Sequence, residues 1–212
     1  NISLLAAAPV IPTDVLRCGS NYALNFCTVG LESIANFRAI AMQQRLRKWP
    51  RFFRTSRRVY NTVYYLGGFM VLFDKETMWK EYTIEIDGED YSGAYASINI
   101  ANGPCYGGDK NPVITAVPDD GLMDILMLKG AGPVEAFVRI SRCFKGHYER
   151  FPGTFRLKRA KTVSIRSKTP LAIDLDGEAF FDTNITVELI KGAVKIAAPD
   201  NIGYYQRRAF HE

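Results

Sequence analysis

The stretch Leu-Ala-Ile-Asp-Leu-Asp-Gly-Glu, residues Leu171–Glu178, decides how this 212-residue chain is interpreted. It reads as an apolar run with strand-like alternation, and Gly177 allows a sharp backbone turn at its end. Asp176 and Glu178 flank that glycine, so the strand would deliver two carboxylates to one edge of a sheet. Paired acids on a rigid strand end are what a general base needs to accept the proton of a hydroxyl group.

A second Asp-Gly-Glu occurs at Asp87–Glu89, and Asp-Gly is also a standard signal for a hairpin turn. Tyr82–Ile86 before it alternates with a period of two, and Ala94–Ala101 follows as the partner strand of a predicted hairpin. We therefore interpret this copy as a turn. Asp176 and Glu178 remain as the candidate catalytic acids.

The composition is that of an ordinary globular protein, with 47% apolar and 23% charged residues. No break in composition marks a second domain, so residues 1–212 are predicted to form a single unit. No apolar stretch is long enough for a membrane span and no signal peptide is recognisable, so we expect a soluble intracellular protein. The cysteines are expected to be free thiols, with a disulfide between Cys18 and Cys27 left as the alternative.

The predicted elements indicate a mainly β protein with helices, an α+β fold with mostly antiparallel strands. Helices are predicted at Glu32–Lys48, Ser56–Phe73 and Pro133–Phe144. The second of these is nearly all apolar after its basic start, so we expect it to be largely buried, with these aromatic residues in the core: Tyr64, Tyr65, Phe69 and Phe73. Further strands are predicted at Asp14–Arg17, Tyr22–Thr28, Leu122–Leu128, Phe155–Lys158, Thr162–Arg166, Leu171–Leu175 and Ile185–Ala198.

The net charge of +5 is concentrated between Arg45 and Arg58, where seven basic residues and no acid occur. Trp49, Phe52 and Phe53 are interleaved with these charges. Such a stretch is either a solvated helix face with its connecting loop or a contact with a polyanionic surface. Anionic lipid headgroups and nucleic acid would both use the same charges, and charge alone does not distinguish them.

Two other segments carry candidate ligand-binding residues. Pro118–Asp124 has the sequence Pro-Asp-Asp-Gly-Leu-Met-Asp, in which carboxylates and backbone carbonyls could bind a hard cation, and it could equally be a plain turn. Asn102–Gly108 ends in paired glycines, which permit close approach of the backbone to a ligand or serve a plain connection.

The order of these motifs resembles the C-terminal domain of the diacylglycerol kinase and sphingosine kinase family, particularly its soluble bacterial branch. The resemblance covers nearly the whole chain, from about Asp14 to Pro199, and implies an antiparallel β-sandwich-like domain of a lipid kinase. The motifs that carry it are, in order, Asn25–Glu32, Asn102–Gly108, Pro118–Leu122 and Leu175–Glu178.

The resemblance implies that Asp176 or Glu178 deprotonates a lipid hydroxyl group. It also implies a magnesium ion held by Asp120 with the carbonyls of Val117 and Leu122. Substrate-side roles are implied for Gly30, Asn102, Gly107 and Gly108. Two positions depart from the family pattern, because Asp109 replaces a third glycine and Glu32-Ser33 replaces a common Asp-Ala.

The resemblance further implies a nucleotide-binding domain that supplies ATP, and its Gly-Gly-Asp-Gly and Gly-Thr-Gly-Asn-Asp loops do not occur in these 212 residues. We therefore expect the substrate-side half of a kinase that is cytoplasmic, peripheral to the membrane and inactive alone. The expected partners are a lipid substrate and an anionic membrane surface, with no nucleic acid and with a homodimer left open. The alternative is a non-enzymatic β module that binds lipid or another anionic surface.

Overall fold

The computed structural model describes residues 6–46, 62, 66–104, 112–143, 148, 151 and 153–197. Within them, ten strands form one antiparallel sheet, which confirms the mainly β fold. The strands are β1 Val10–Cys18, β2 Asn21–Ala23, β3 Phe26–Gly30, β4 Lys80–Ile86, β5 Glu89–Asp90, β6 Gly93–Ala101, β7 Met123–Lys129, β8 Phe155–Ala160, β9 Thr162–Leu175 and β10 Glu178–Ala197. The helices are α1 Leu31–Leu46, α2 Lys75–Met78 and α3 Pro133–Cys143, and residues 66–71 are also helical.

The sheet closes on itself through β9, which pairs with three other strands. Its order is β2-β1-β10-β9-β3-β6-β4-β5, with β7 paired to β6 and β8 paired to β7. The first half of β9 pairs with β4 and its second half pairs with β3, so β9, β3, β6 and β4 form a closed circuit. The predicted strands Thr162–Arg166 and Leu171–Leu175 are therefore two halves of one strand, which continues between them.

The main hydrophobic core lies inside this circuit. Because side chains alternate between the two faces of a strand, every second residue of each strand points into it. Each of the four strands contributes fully buried aliphatic side chains, among them Val29, Ile84, Ile98, Ile165 and Ile173. The same alternation sends the intervening residues of β9, including Asp174, to the opposite face.

A second core lies between the helices and the outer face of β6 and β7. Helix α1 and the helical residues 66–71 pack against each other, since a Cβ added at Gly67 would lie 3.6 Å from the carbonyl oxygen of Ala35. No helix among the described residues is long and apolar enough to cross a membrane. The buried side chains of this second core include Leu31, Ala35, Val71, Leu72, Leu126, Leu128 and Ala136.

The expectation that the second predicted helix is largely buried is wrong for most of its described side chains. Val71 and Leu72 are buried, whereas Phe69 and Phe73 are 49% and 61% exposed. Only one side of the helix reaches the second core, and no other element in the described part of the chain covers the opposite side. Tyr64 and Tyr65 lie outside the described residues.

The exposed side chains of this segment continue onto helix α3. The ring of Phe69 lies 5.3 Å from that of Phe73 and 6.3 Å from that of Phe137, both edge to face. We call this continuous surface the exposed apolar face. It comprises Leu66, Phe69, Met70, Phe73, Val134 and Phe137.

Three cysteines are buried free thiols, Cys18, Cys27 and Cys143, so the disulfide between Cys18 and Cys27 is not formed. Burial raises the pKa of Cys18 to about 11 and that of Cys143 to about 12. Such thiols are protonated at neutral pH and have little nucleophilic reactivity. The fourth cysteine, Cys105, lies outside the described residues.

We expect Gly30→Ala to destabilise the fold, because this glycine has φ +100° and a Cβ there would lie 2.6 Å from the carbonyl oxygen of Ala96. Left-handed strain and overpacking together should lower the free energy of unfolding by about 2 kcal/mol or more. Urea unfolding measures this change. Gly132→Ala is the control, since nothing lies within 4 Å of its added Cβ. Equal effects of the two substitutions would contradict the prediction.

Candidate active site

Both Asp-Gly-Glu segments form two-residue hairpin turns with the same backbone. In each, the residues before and after the Asp-Gly pair face each other across two strands. The angle φ is positive at both central residues, as a type I′ turn requires and as Asp-Gly favours. The values are 48° at Asp176, 96° at Gly177, 46° at Asp87 and 86° at Gly88. Backbone shape therefore does not distinguish the two copies.

The carboxylate of Asp176 anchors its turn to the loop between β2 and β3. It accepts hydrogen bonds from the backbone N–H groups of Leu24, Asn25 and Phe26, at 2.6, 3.2 and 2.9 Å. The backbone N–H of Asp176 in turn donates to the carbonyl oxygen of Phe26 at 3.2 Å. Three consecutive donors on one charged acceptor hold this side chain in a single position.

The other copy is anchored in the same way to a different strand. The carboxylate of Asp87 accepts hydrogen bonds from the backbone N–H groups of Thr162 at 2.8 Å and Lys161 at 3.1 Å. Its own N–H donates to the carbonyl oxygen of Thr162 at 3.1 Å. Anchoring by the aspartate is thus a structural property of both turns, and the surroundings must decide which copy carries chemistry.

A third acid, Asp174, distinguishes the surroundings of the second turn. It is only 5% exposed and accepts hydrogen bonds from the side-chain amide of Asn36 at 2.6 Å and the N–H of Gly177 at 2.7 Å. The pKa of the Asp174 carboxyl is raised, mainly by burial and also by the charge of Asp176. The two hydrogen bonds offset part of this increase. The amide of Asn36 also donates to the carbonyl of Gly177 at 3.2 Å, so helix α1 is bonded to the turn.

Glu178 completes this acidic group and differs from both aspartates. Its side chain is exposed, and within the described part of the chain it has no hydrogen bond or ion pair. It lies on the wall of an open cleft of about 480 Å³, which Asn21, Tyr22, Asp176 and Phe180 also line. A carboxylate at this position is accessible to a ligand in the cleft.

Asn102, a predicted substrate-side residue, lies fully buried behind this site. Its side-chain amide donates to the carbonyls of Asp14 at 2.8 Å and Leu24 at 2.7 Å, and its backbone N–H donates to Asn25 at 2.8 Å. It therefore supports the same loop that anchors Asp176. Its side-chain oxygen has no hydrogen-bond partner in the structure.

Asp14 connects this network to the predicted cation-binding turn. Its carboxylate accepts hydrogen bonds from the backbone N–H groups of Gly121 and Gly192, each at 2.7 Å, and its own N–H donates to Pro118 at 2.7 Å. Its carbonyl is one of the two that Asn102 binds. The turn at Pro118–Leu122 and the turn at Asp176 are thus connected by consecutive hydrogen bonds.

The predicted magnesium ligands fit a hard cation by donor type, since Asp120 supplies a carboxylate and Val117 and Leu122 flank it with carbonyls. The Asp120 carboxylate accepts the N–H of Leu122 at 2.9 Å and is contacted by the guanidinium of Arg159. An ionised carboxylate has about four lone-pair sites, and Leu122 and Arg159 together occupy part of them. Among the described residues no cluster of three His, Cys, Asp or Glu could hold a metal, so a cation would depend on the carbonyls.

The remaining predicted site residues lie elsewhere. Gly30 ends β3, four residues beyond Phe26, which places it about 13 Å along the strand from the loop that anchors Asp176. Next to it, burial raises the pKa of Glu32, whose carboxylate accepts a hydrogen bond from Ser97. Gly107 and Gly108 lie outside the described residues, as does the basic stretch beyond Leu46 up to residue 61.

Sequence reasoning missed four residues that build this region, Asp14, Asn36, Asp174 and Arg159. For Asp174 a signal existed, because acids at 174, 176 and 178 alternate through the turn. The other three form hydrogen bonds to residues that lie far away in the sequence. No local pattern could have identified them.

The sequence of this chain is similar to a protein family and to bacterial proteins named as lipid kinases. A family model described as the YegS C-terminal NAD kinase beta sandwich-like domain matches residues 54–198. The chain is 29% identical over 186 residues to a Staphylococcus carnosus protein named "Putative lipid kinase", covering 86% of this chain and 55% of that protein. A Staphylococcus aureus (strain Newman) protein of the same name is 24% identical over 209 residues, covering 93% and 60%. The chain thus spans little more than half the length of these curated relatives.

Solved structures show the same fold. Two structures named as a "putative diacylglycerol kinase" from Bacillus anthracis superpose with TM-scores of 0.68 and 0.63. Each superposition covers 94% of this chain and about 60% of the other, at 21% and 22% sequence identity. Similarity at this level demonstrates a common architecture.

The raised pKa of Asp174 predicts a pH dependence of stability. Because the folded state holds this proton more tightly than the unfolded chain does, the free energy of unfolding should fall as pH rises from about 4 through the folded pKa. Asp174→Asn removes this titration. The difference in unfolding free energy, wild type minus variant, should therefore decrease with pH in denaturant titrations.

Asp90 supplies a control of opposite sign. Hydrogen bonds from Ser92 lower the pKa of Asp90, so its contribution to stability is present at neutral pH and is lost as pH falls. The free energy of unfolding of the wild type minus that of Asp90→Asn should thus increase with pH. The same pH trend for both variants would show that Asp174 is not buried as described.

Proposed function

The chain belongs to the family of the YegS C-terminal NAD kinase beta sandwich-like domain, and from this membership we propose that it is the substrate-side domain of a lipid kinase. The observation that carries the proposal is the carboxylate of Glu178, which lies unpaired on the wall of a cleft, directly after an anchored turn. The names of its relatives, lipid kinase and diacylglycerol kinase, support a lipid hydroxyl as the acceptor.

The proposed reaction transfers the γ-phosphoryl group of ATP to a lipid, with diacylglycerol or a related lipid as the substrate. The hydroxyl oxygen of the lipid attacks the γ-phosphorus, the bond between that phosphorus and the bridging oxygen breaks, and ADP leaves. The hydroxyl proton passes to a carboxylate of this domain. ATP would be bound by a separate nucleotide-binding domain, as the greater length of the relatives suggests.

Glu178 and Asp176 would have different roles in this reaction. Three backbone N–H groups occupy most of the acceptor capacity of Asp176, so its carboxylate serves to fix the turn. Glu178 follows two residues later on the same rigid strand and is available to the substrate. We therefore assign proton acceptance to Glu178 and its positioning to Asp176, with Asn36 and Asp174 bonded to the glycine between them.

Magnesium would be held by Asp120 with the carbonyls of Val117 and Leu122. When bound there, it would supply a fixed positive charge that orders the Pro118–Leu122 turn. Asp14 and Asn102 connect that turn by hydrogen bonds to the loop that anchors Asp176. An ordered Pro118–Leu122 turn would in this way help to hold Asp176 and Glu178 in position.

The exposed apolar face supports contact with a membrane surface. Aromatic side chains suit the boundary between headgroups and acyl chains, and this face carries three exposed phenylalanines. Residues 47–61, which connect α1 to the helical residues 66–71, carry six basic residues and no acid. Each basic residue near an anionic leaflet contributes about 1 kcal/mol. A non-catalytic membrane-binding module would use the same face, and only the role of Glu178 separates the two functions.

The two Asp-Gly-Glu turns provide an internally controlled test of catalysis. In the full-length protein, Glu178→Gln should lower kcat by roughly 10²–10⁴-fold, since a general base contributes about that much. KM should change less, because the proton moves only in the transition state. Steady-state assays with ATP and diacylglycerol measure both constants.

Glu89→Gln in the other turn is the matched control and should leave kcat within a small factor. Asp176→Asn and Asp87→Asn should each lower the free energy of unfolding by about 1–2 kcal/mol, because each loses acceptors for backbone N–H groups. Normal kcat in Glu178→Gln would show that Glu178 is not the base, whereas no measurable kcat in the wild-type protein would favour the non-catalytic membrane-binding module. A larger loss of kcat in Asp176→Asn than in Glu178→Gln would reassign the base.

Membrane contact is tested by replacing exposed phenylalanines with a charged residue. Phe69→Glu and Phe137→Glu should each weaken binding to phosphatidylglycerol-containing vesicles about tenfold or more, through lost apolar burial and added repulsion. Co-sedimentation measures the binding. Val10→Glu, at a 61% exposed residue of β1, is the control. Equal binding by all three variants would exclude this face from the membrane.

A further inference from the structure

The guanidinium of Arg159 lies between two carboxylates at the Pro118–Leu122 turn. Its Nη2 contacts Oδ2 of Asp120, and its Nε lies 3.5 Å from Oδ2 of Asp124. The register of the sheet places Arg159 on β8 directly opposite Asp124 on β7. Paired strands hold these two residues together, so the arginine is fixed at this turn by the fold.

Asp124 makes this arrangement different from an ordinary surface ion pair. It is fully buried, its Oδ1 accepts a hydrogen bond from Thr115 at 2.9 Å, and its Oδ2 has no hydrogen-bond partner. A buried carboxylate needs a nearby positive charge, and Arg159 is the cation paired with it in the described structure. By contrast, the pair Arg17–Glu188 joins two side chains that are each about 40% exposed.

We propose that Arg159 is the resident counter-ion of this turn and that a divalent cation at Asp120 binds only in competition with it. The inference rests on the magnesium site of the proposed function. A guanidinium on one oxygen of Asp120 blocks part of its coordination space and repels a second positive charge a few ångströms away. The turn is therefore closed by arginine without the cation, and cation binding requires Arg159 to leave Asp120.

Through this competition Arg159 controls how tightly the turn binds the cation, although Arg159 is not itself one of the proposed ligands. Because Arg159 remains opposite Asp124 in the sheet, it can release Asp120 while staying near the buried carboxylate. The turn would then alternate between an arginine-bound and a cation-bound arrangement. Asp14 holds the backbone of the turn at Gly121 and Pro118, away from the Asp120 side chain.

The test measures Mg²⁺ binding to residues 1–212 by calorimetry and by thermal unfolding at constant ionic strength. Arg159→Gln should bind Mg²⁺ at least about tenfold more tightly than wild type, because one competing charge is removed. With a chelator it should melt at a lower temperature than wild type, and Mg²⁺ should close that gap. Arg159→Gln combined with Asp120→Asn should lose the Mg²⁺ response.

Arg156→Gln on the same strand is the matched control, since its guanidinium lies over the ring of Tyr91 and away from the turn; it should bind Mg²⁺ as wild type does. Arg159→Lys, which keeps the charge, should lie nearer wild type and serves if the glutamine variant does not fold. Equal Mg²⁺ affinity in wild type and Arg159→Gln, or no binding in any variant, would overturn the inference. Neither result bears on phosphoryl transfer, because the assay contains no ATP or lipid.

Discussion

The hydrogen bonds of the buried Asn102 side chain are the constraint on which the rest of the candidate site depends. Its amide donates to the carbonyls of Asp14 and Leu24, which lie on β1 and in the loop between β2 and β3. A buried donor without an acceptor costs about 1–3 kcal/mol, so both bonds are enforced once the side chain is buried. They fix the loop whose N–H groups bind Asp176. The position of the candidate catalytic turn therefore depends on the side-chain amide of the residue that directly follows β6.

The same network extends to the turn at Asp120. Asp14 accepts the N–H of Gly121 and, through its carbonyl, the amide of Asn102. The two turns that carry candidate chemistry thus belong to one hydrogen-bonded unit in a low-dielectric interior, where such bonds are stronger than in water. A substitution within this unit acts on the stability of the fold and on the position of the carboxylates together.

The two Asp-Gly-Glu turns separate local structure from function. Both adopt the same backbone, and both aspartates bind N–H groups of a neighbouring strand. They differ in what lies around them, since only the second has a buried acid at Asp174, a bonded helix residue at Asn36 and a glutamate on a cleft wall. The tripeptide specifies a turn, and its tertiary environment makes one copy a candidate site.

By itself, the sequence determined the β-rich class, the hairpin around Asp87-Gly88, the terminus of β9 at Asp176-Gly177 and helix α3. These depend on period-two alternation, on residues that tolerate positive φ and on helix start signals, all of which act over a few neighbouring residues. Only the tertiary structure decided that Asp174 is buried against α1, that Arg159 faces Asp124, and that Phe69 and Phe73 are exposed. The physical reason is that burial and ion pairing depend on which strands and helices meet, and those partners lie far apart along the chain.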